Sequence, residues 1–286
     1  YSDRNVQLNS QSSQTHSGVV AALGSVQIQA KDAGTSTNTG SAAPQVLAST
    51  TTVWAAGMRA DGSLETLPAG DTTGGQTLRV SADGLLQTTG QALATEALSL
   101  QAASLDVSKS RQQAPSIHMQ ATTGDLQATG SRILAAQTLH MQTAQALTTD
   151  RAQLQADTLT LQAQALSNVA GQITQTGQTD QSLTLQGQLN NTAGTIYSAA
   201  RHLNIRAQGI DNTAGQILHA GQGTLAIDSQ GDLINTVQSH IQPAVTDGAR
   251  IIGSGAVQVS AQTLTNSGSI YAAQDLSSTA NSLANS

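Results

Sequence analysis

Pairs of apolar residues separated by one residue recur along this chain at a nearly constant spacing. Leu78-Arg79-Val80, Leu98-Ser99-Leu100, Ile117-His118-Met119, Leu139-His140-Met141, Leu159-Thr160-Leu161, Leu183-Thr184-Leu185, Leu203-Asn204-Ile205, Leu225-Ala226-Ile227 and Val257-Gln258-Val259 share this form. Their first positions step by 20, 19, 22, 20, 24, 20, 22 and 32 residues. A two-residue alternation is strand periodicity, with one face buried and the other in water. A second column, Leu86, Leu105, Leu126, Leu147, Leu166, Leu189, Ile210, Leu233 and Leu264, keeps the same beat. A third runs through Ile133, Leu154, Ile173, Ile196 and Ile217. Three apolar columns per repeat predict three short sides per turn.

One such repeat cannot bury its own apolar side, so successive repeats must stack and share a core. Strands then pair along the stack at about 4.8 Å per coil. The expected fold is all-β: a right-handed parallel β-helix of roughly 20-residue coils with one or two irregular loop insertions. Val6-Gln7-Leu8 and Val26-Gln27-Ile28 place short coils in residues 1–30, and the main helix covers 78–286. Between them, 31–77 is rich in Gly, Thr and Ser and holds Pro44, Pro68 and Trp54, which predicts an irregular loop or extra-helical insertion. The long last step marks a second loop insertion at 236–256, with Pro243.

The turns carry their own column. Asn168-Val169-Ala170-Gly171, Asn191-Thr192-Ala193-Gly194 and Asn212-Thr213-Ala214-Gly215 repeat one corner in successive coils, and Asn266-Ser267-Gly268 is a shorter version. Stacked Asn amides can hydrogen-bond from coil to coil, and Gly is expected to supply positive φ. Asn168, Asn191, Asn212 and Asn266, with Gly171, Gly194 and Gly215, are therefore expected to form a structural ladder. Gln101, Gln120, Gln142, Gln162 and Gln186 form a further, outward column.

Composition narrows the function classes. The chain has no Phe and no Cys, one Trp, and only 10 % charged residues. Its net charge of −6 comes from 17 acids and 11 bases with no run of either sign, so no basic stripe invites nucleic acid. Val19 to Leu23 is the longest apolar stretch, far short of the roughly 20 residues that span a bilayer. No signal peptide is visible after Tyr1, and the piece reads as the inside of a longer protein.

The unit Leu-x-Leu-x-Ala-x-x-Leu-x-Asn-x-x-Gly-x-Ile, read from Leu159 to Ile173 and echoed at Leu183 to Ile196 and Leu203 to Ile217, resembles the repeat of filamentous haemagglutinins. These are large exoproteins of bacterial two-partner secretion, among them adhesins and contact-dependent growth-inhibition effectors. The resemblance covers roughly residues 78–276. It implies secretion through a dedicated outer-membrane transporter to the outer cell surface of a Gram-negative bacterium. It also implies a receptor, protein or glycan, on a host cell or neighbouring bacterium. The family's secretion domain carries Asn-Pro motifs; none occurs here, which points to an internal piece of the shaft.

The rival class is a β-helical polysaccharide lyase or hydrolase. A glycosidase needs two carboxylates about 5–10 Å apart, whereas the acids here are scattered; Asp228 and Asp232 share one coil without carboxylates at matching positions in adjacent coils. No catalytic, cofactor or metal residues are assigned. His118 and His140 occupy equivalent outward positions, but a usual zinc site needs three or four ligands. For partner contact, Trp54, Met58, Arg59, Asp61 and Glu65 in the irregular segment have the aromatic-plus-Arg composition of interface hot spots.

Overall fold

The computed structural model describes residues 6–10, 14–16, 19–22, 26–30, 45–48, 52–55, 77–82, 84–88, 91–94, 96–237 and 248–286. They form a parallel β-solenoid with no helix among the described residues. The chain divides into two compact units, Tyr1–Ala144 and Gln145–Ser286.

In the first unit one face stacks Val6–Ser10, Val26–Ala30, Thr77–Ala82, Ala97–Ala102 and the second half of Arg111–Ala121, all parallel. A second face stacks Gln14–His16, Gln45–Ala48, Leu85–Thr88, Ser104–Asp106 and Leu126–Gln127. The third stacks Val19–Ala22, Thr52–Ala55, Gln91–Ala94 and the first half of Arg111–Ala121, which itself pairs with Arg132–Thr143. Leu98, Leu100, Leu105, Ile117, Met119, Leu126, Ile133, Leu139 and Met141 point into the core with almost no exposure.

The second unit repeats the plan. Its second face advances from Leu147 to Leu166, Leu189, Ile210, Leu233 and Leu264, register steps of 19, 23, 21, 23 and 31 residues. Its third face carries Leu154, Ile173, Ile196, Ile217, Ile251 and Ile270 in one line. Strand Leu203–Ala207 alternates buried and exposed positions along its whole length, the two-residue period that the sequence shows. The last strand, Leu276–Asn285, pairs with Ala256–Asn266 and is exposed almost throughout; Leu283, in register with buried Leu264, is 63 % exposed.

Three details differ from the sequence reading. Leu183 stacks on Ile205, and Leu203 lies opposite Gln181, so this coil is shifted by two residues from the apolar column. Ala163 bridges to Leu185 in the same register, which takes Gln186 out of the column of Gln162. A buried Gln at a position where Leu is the rule hides the register from a hydrophobicity count. Second, within 31–77 the strands Gln45–Ala48 and Thr52–Ala55 join the coil ladders. Four-residue strands among Ser and Thr give too short an alternation to be seen. The rest of 31–76 lies outside the described residues. Third, Arg250–Gly253 is a coil strand, and 238–247 lie outside the described residues.

Candidate functional site

The corner between the second and third faces is the most ordered polar feature of the second unit. Asn168 Nδ2 donates to Asn191 Oδ1 at 2.8 Å, Asn191 to Asn212 at 2.7 Å, and Asn212 to Asn235 at 2.8 Å. Asn235 donates to Asn266, and Asn266 to Asn285, both at 2.7 Å. At the start, Thr149 Oγ1 donates to Asn168 Oδ1 at 2.9 Å. Asn168, Asn191, Asn212 and Asn235 are wholly buried. Each of these side chains meets a backbone carbonyl three residues on or in the next coil, as Asn191 Nδ2 does with Gly194 O and Gln216 O at 3.2 Å. A buried amide in this row therefore has both its donors and its acceptor engaged. The sequence motif found Asn168, Asn191, Asn212 and Asn266. It missed Asn235, which has no Gly after it, and Asn285; their signal was the spacing from Asn212 and Asn266 alone.

Glycine does a different job at this corner from the one expected. The left-handed residue is the one before it: Ala170, Ala193 and Ala214 each have φ of 53°, as do Lys109 and Arg151 closely at 57° and 55°. The backbone N–H of each of these Ala residues bonds the coil above, for example Ala193 N to Thr213 O at 2.9 Å. Gly194 is required for space: a Cβ there would lie 2.0 Å from Asn168 O and 2.7 Å from Asn191 Oδ1. Gly171 and Gly215 face the same obstruction.

Other polar groups sit on the outside. In the first unit His118 stacks on His140, ring centroids 4.8 Å apart and planes 8° from parallel. The His118 imidazole is held below its ordinary pKa, first by partial burial and then by His140. In the second unit Asp180 takes the guanidinium of Arg201 at 3.1 Å and the backbone N–H of His202 at 3.2 Å. The Arg201 hydrogen bond keeps the Asp180 carboxyl below the usual carboxylate range. The pair borders an open groove of about 770 Å³ floored by Ala199, Ala220 and Gly221. Beside it His219 is 2 % exposed; its Nε2–H donates to Ala200 O at 2.8 Å, and Nδ1 has no partner. Burial lowers its pKa.

Asp228 lies between Arg206 and Ser260 in register and is 3.6 Å from Arg206 Nε, so it faces a guanidinium and a hydroxyl rather than a second carboxylate. Among the described residues no three of His, Cys, Asp or Glu are gathered closely enough to hold an ion. No helix of the described residues is long and apolar enough to cross a membrane. Trp54 lies in strand Thr52–Ala55, in register with Ala21 and Leu93. Met58, Arg59, Asp61 and Glu65 lie outside the described residues.

Among known proteins, Toxin CdiA of Yersinia pestis is 38 % identical to this chain over 141 residues, 49 % of the chain. The chain spans about 4 % of that protein's length. No family model matches, and no solved structure matches significantly. The match over 49 % of the chain and the parallel β-solenoid together fit a fragment of a two-partner-secretion shaft of the filamentous-haemagglutinin and CdiA kind.

Proposed function

We propose that this chain is a structural shaft and binding segment of a secreted filament on the outer surface of a Gram-negative bacterium. In this reading an outer-membrane two-partner transporter exports the parent protein, and the filament contacts a protein or glycan receptor on a host cell or neighbouring bacterium. The observation that carries the reading is a stack of near-equivalent coils in a chain similar to Toxin CdiA. Such a stack gains length by adding coils, each held by the next.

Recognition is assigned to the segment around Trp54, Met58, Arg59, Asp61 and Glu65, whose aromatic-plus-Arg composition is that of interface hot spots. The repeated coils offer a partner the same Gln and Thr pattern each time. The asparagine row and its glycines are assigned a structural role. The chain itself performs no catalysis in this reading.

The test uses fluorescently labelled chain on candidate host and bacterial cells, beside a chain in which 56–76 is replaced by a Gly/Ser linker. Saturable binding by the first and its loss in the second, with an unchanged β spectrum, is the expected result. Equal binding by both moves recognition to another surface, and absence of binding by either removes the receptor-contact role. Release of reducing or unsaturated sugar ends from a polysaccharide panel would replace the reading with the lyase or hydrolase one.

A further inference from the structure

The outward side of the first unit carries one side-chain array that the coil architecture does not need. His118 pairs in register with His140, and two residues on, Gln120 pairs with Gln142. All four are half-buried side chains on the same outward face of two neighbouring strands, because residues i and i+2 share a face. The imidazoles are already stacked at 4.8 Å, and His140 Nε2 lies 3.5 Å from Gln142 Oε1. His118 likewise shares a side-chain hydrogen bond with Gln120. Two imidazoles and two amides thus stand side by side on neighbouring strands of one sheet.

We propose that His118 and His140, flanked by Gln120 and Gln142, form a binding site for one borderline divalent transition-metal ion such as Ni²⁺, Cu²⁺ or Zn²⁺. Imidazole is the ligand these ions prefer, and an N,O donor set in a plane suits Cu²⁺ and Ni²⁺. Metal–nitrogen bonds of about 2.0–2.1 Å to neighbouring coordination positions hold two nitrogens about 3 Å apart. Rings whose centroids are 4.8 Å apart reach that by rotating out of their stack, which half-exposed side chains can do without moving the backbone. Each ring must present a bare nitrogen. The adjacent register position holds Ser99, which brings no competing charge. A bound ion would tie strand Arg111–Ala121 to Arg132–Thr143 and so stabilise the folded state by mass action.

The test is titration of the whole chain with NiCl₂, CuCl₂ and ZnCl₂, and with MgCl₂ as a control, by calorimetry and by imidazole-resolved NMR. The expected result is one transition-metal ion per chain and no Mg²⁺, with the signals of His118 and His140 moving together. His16, His202, His219 and His240 should stay in place. His118→Gln and His140→Gln should each weaken binding at least tenfold while keeping the β spectrum, and Gln120→Ala with Gln142→Ala should weaken it less. Equal affinity in His140→Gln, a shift confined to one of the two rings, or comparable binding of Mg²⁺ would overturn the proposal.

Discussion

Asn191→Asp is the sharpest perturbation of the asparagine row, since it changes one atom and keeps the shape. Asn191 accepts from Asn168 Nδ2 and donates to Asn212 Oδ1, Gly194 O and Gln216 O. Aspartate keeps the acceptor and loses both N–H groups, so the row is cut on one side only. Two buried bonds lost at about 1–3 kcal/mol each come to about 2–6 kcal/mol. That is a large share of the roughly 5–15 kcal/mol that stabilises a domain. The carboxyl would face Asn212 Oδ1 and two carbonyl oxygens in a buried place, which raises its pKa. An acid whose folded pKa is raised contributes stability that is present at low pH and lost as pH rises through the folded value. The variant should therefore melt well below the parent chain at pH 7, and the gap should narrow as pH falls towards 4. Asn190→Asp is the control. Asn190 only accepts, from Thr192 N and Oγ1, and the next coil already has Asp211 at that register position, accepting from Thr213 N. It should change the melting point little. Thermal melts followed by far-ultraviolet circular dichroism across pH decide the matter. Equal melting of Asn191→Asp and the parent at pH 7, or a gap that widens on acidification, would refute a hydrogen-bonded row.

Gly194→Ala should destabilise by about 1–3 kcal/mol through overpacking against Asn168 O. Ala193→Gly should be nearly neutral in the same melts, because relief of its left-handed φ is offset by a freer unfolded chain; an unchanged melting point in Gly194→Ala would remove space as the requirement for glycine. Gln181→Leu should raise stability by about 1–3 kcal/mol, since Gln181 is buried opposite Leu203 with Oε1 unpartnered; a fall would show that its amide holds the coil. His118 and His219 have folded pKa values below their ordinary ones, so the unfolded chain takes up protons first, and stability should fall as pH drops below about 6.5. His118→Gln with His219→Leu should flatten that slope in urea titrations at pH 8 and 5.5, and an unchanged slope would assign it elsewhere.

The coil was legible because its core uses one residue class at fixed places. Leu86, Leu105 and Leu126 stack as spaced, and so do Ile173, Ile196 and Ile217. The pattern misled where a polar residue took a core position, as at Gln181, and where strands were short and poor in Leu and Ile, as at Gln45–Ala48. Asn235 and Asp180–Arg201 were invisible for another reason. Their partners are 31 and 21 residues away, and only a correct coil register brings them together. Glycine's role at Gly194 could not be read from sequence, because a tight approach and a positive φ call for the same residue.

If the coils of the second unit are interchangeable on their one asparagine row, the chain should tolerate removal of one whole coil but not of half a coil. Deleting 191–211 joins Asn190 to Asn212, which leaves Asn190 in the place of its register partner Asp211 and puts Asn212 in the place of Asn191 as the partner of Asn168. Deleting 191–200 removes about half a coil and leaves the faces out of register. A cooperative melt and a β spectrum are expected for the one-coil deletion, and loss of both for the half-coil deletion. Equal tolerance of the two, or unfolding of the one-coil deletion, would contradict that interchangeability.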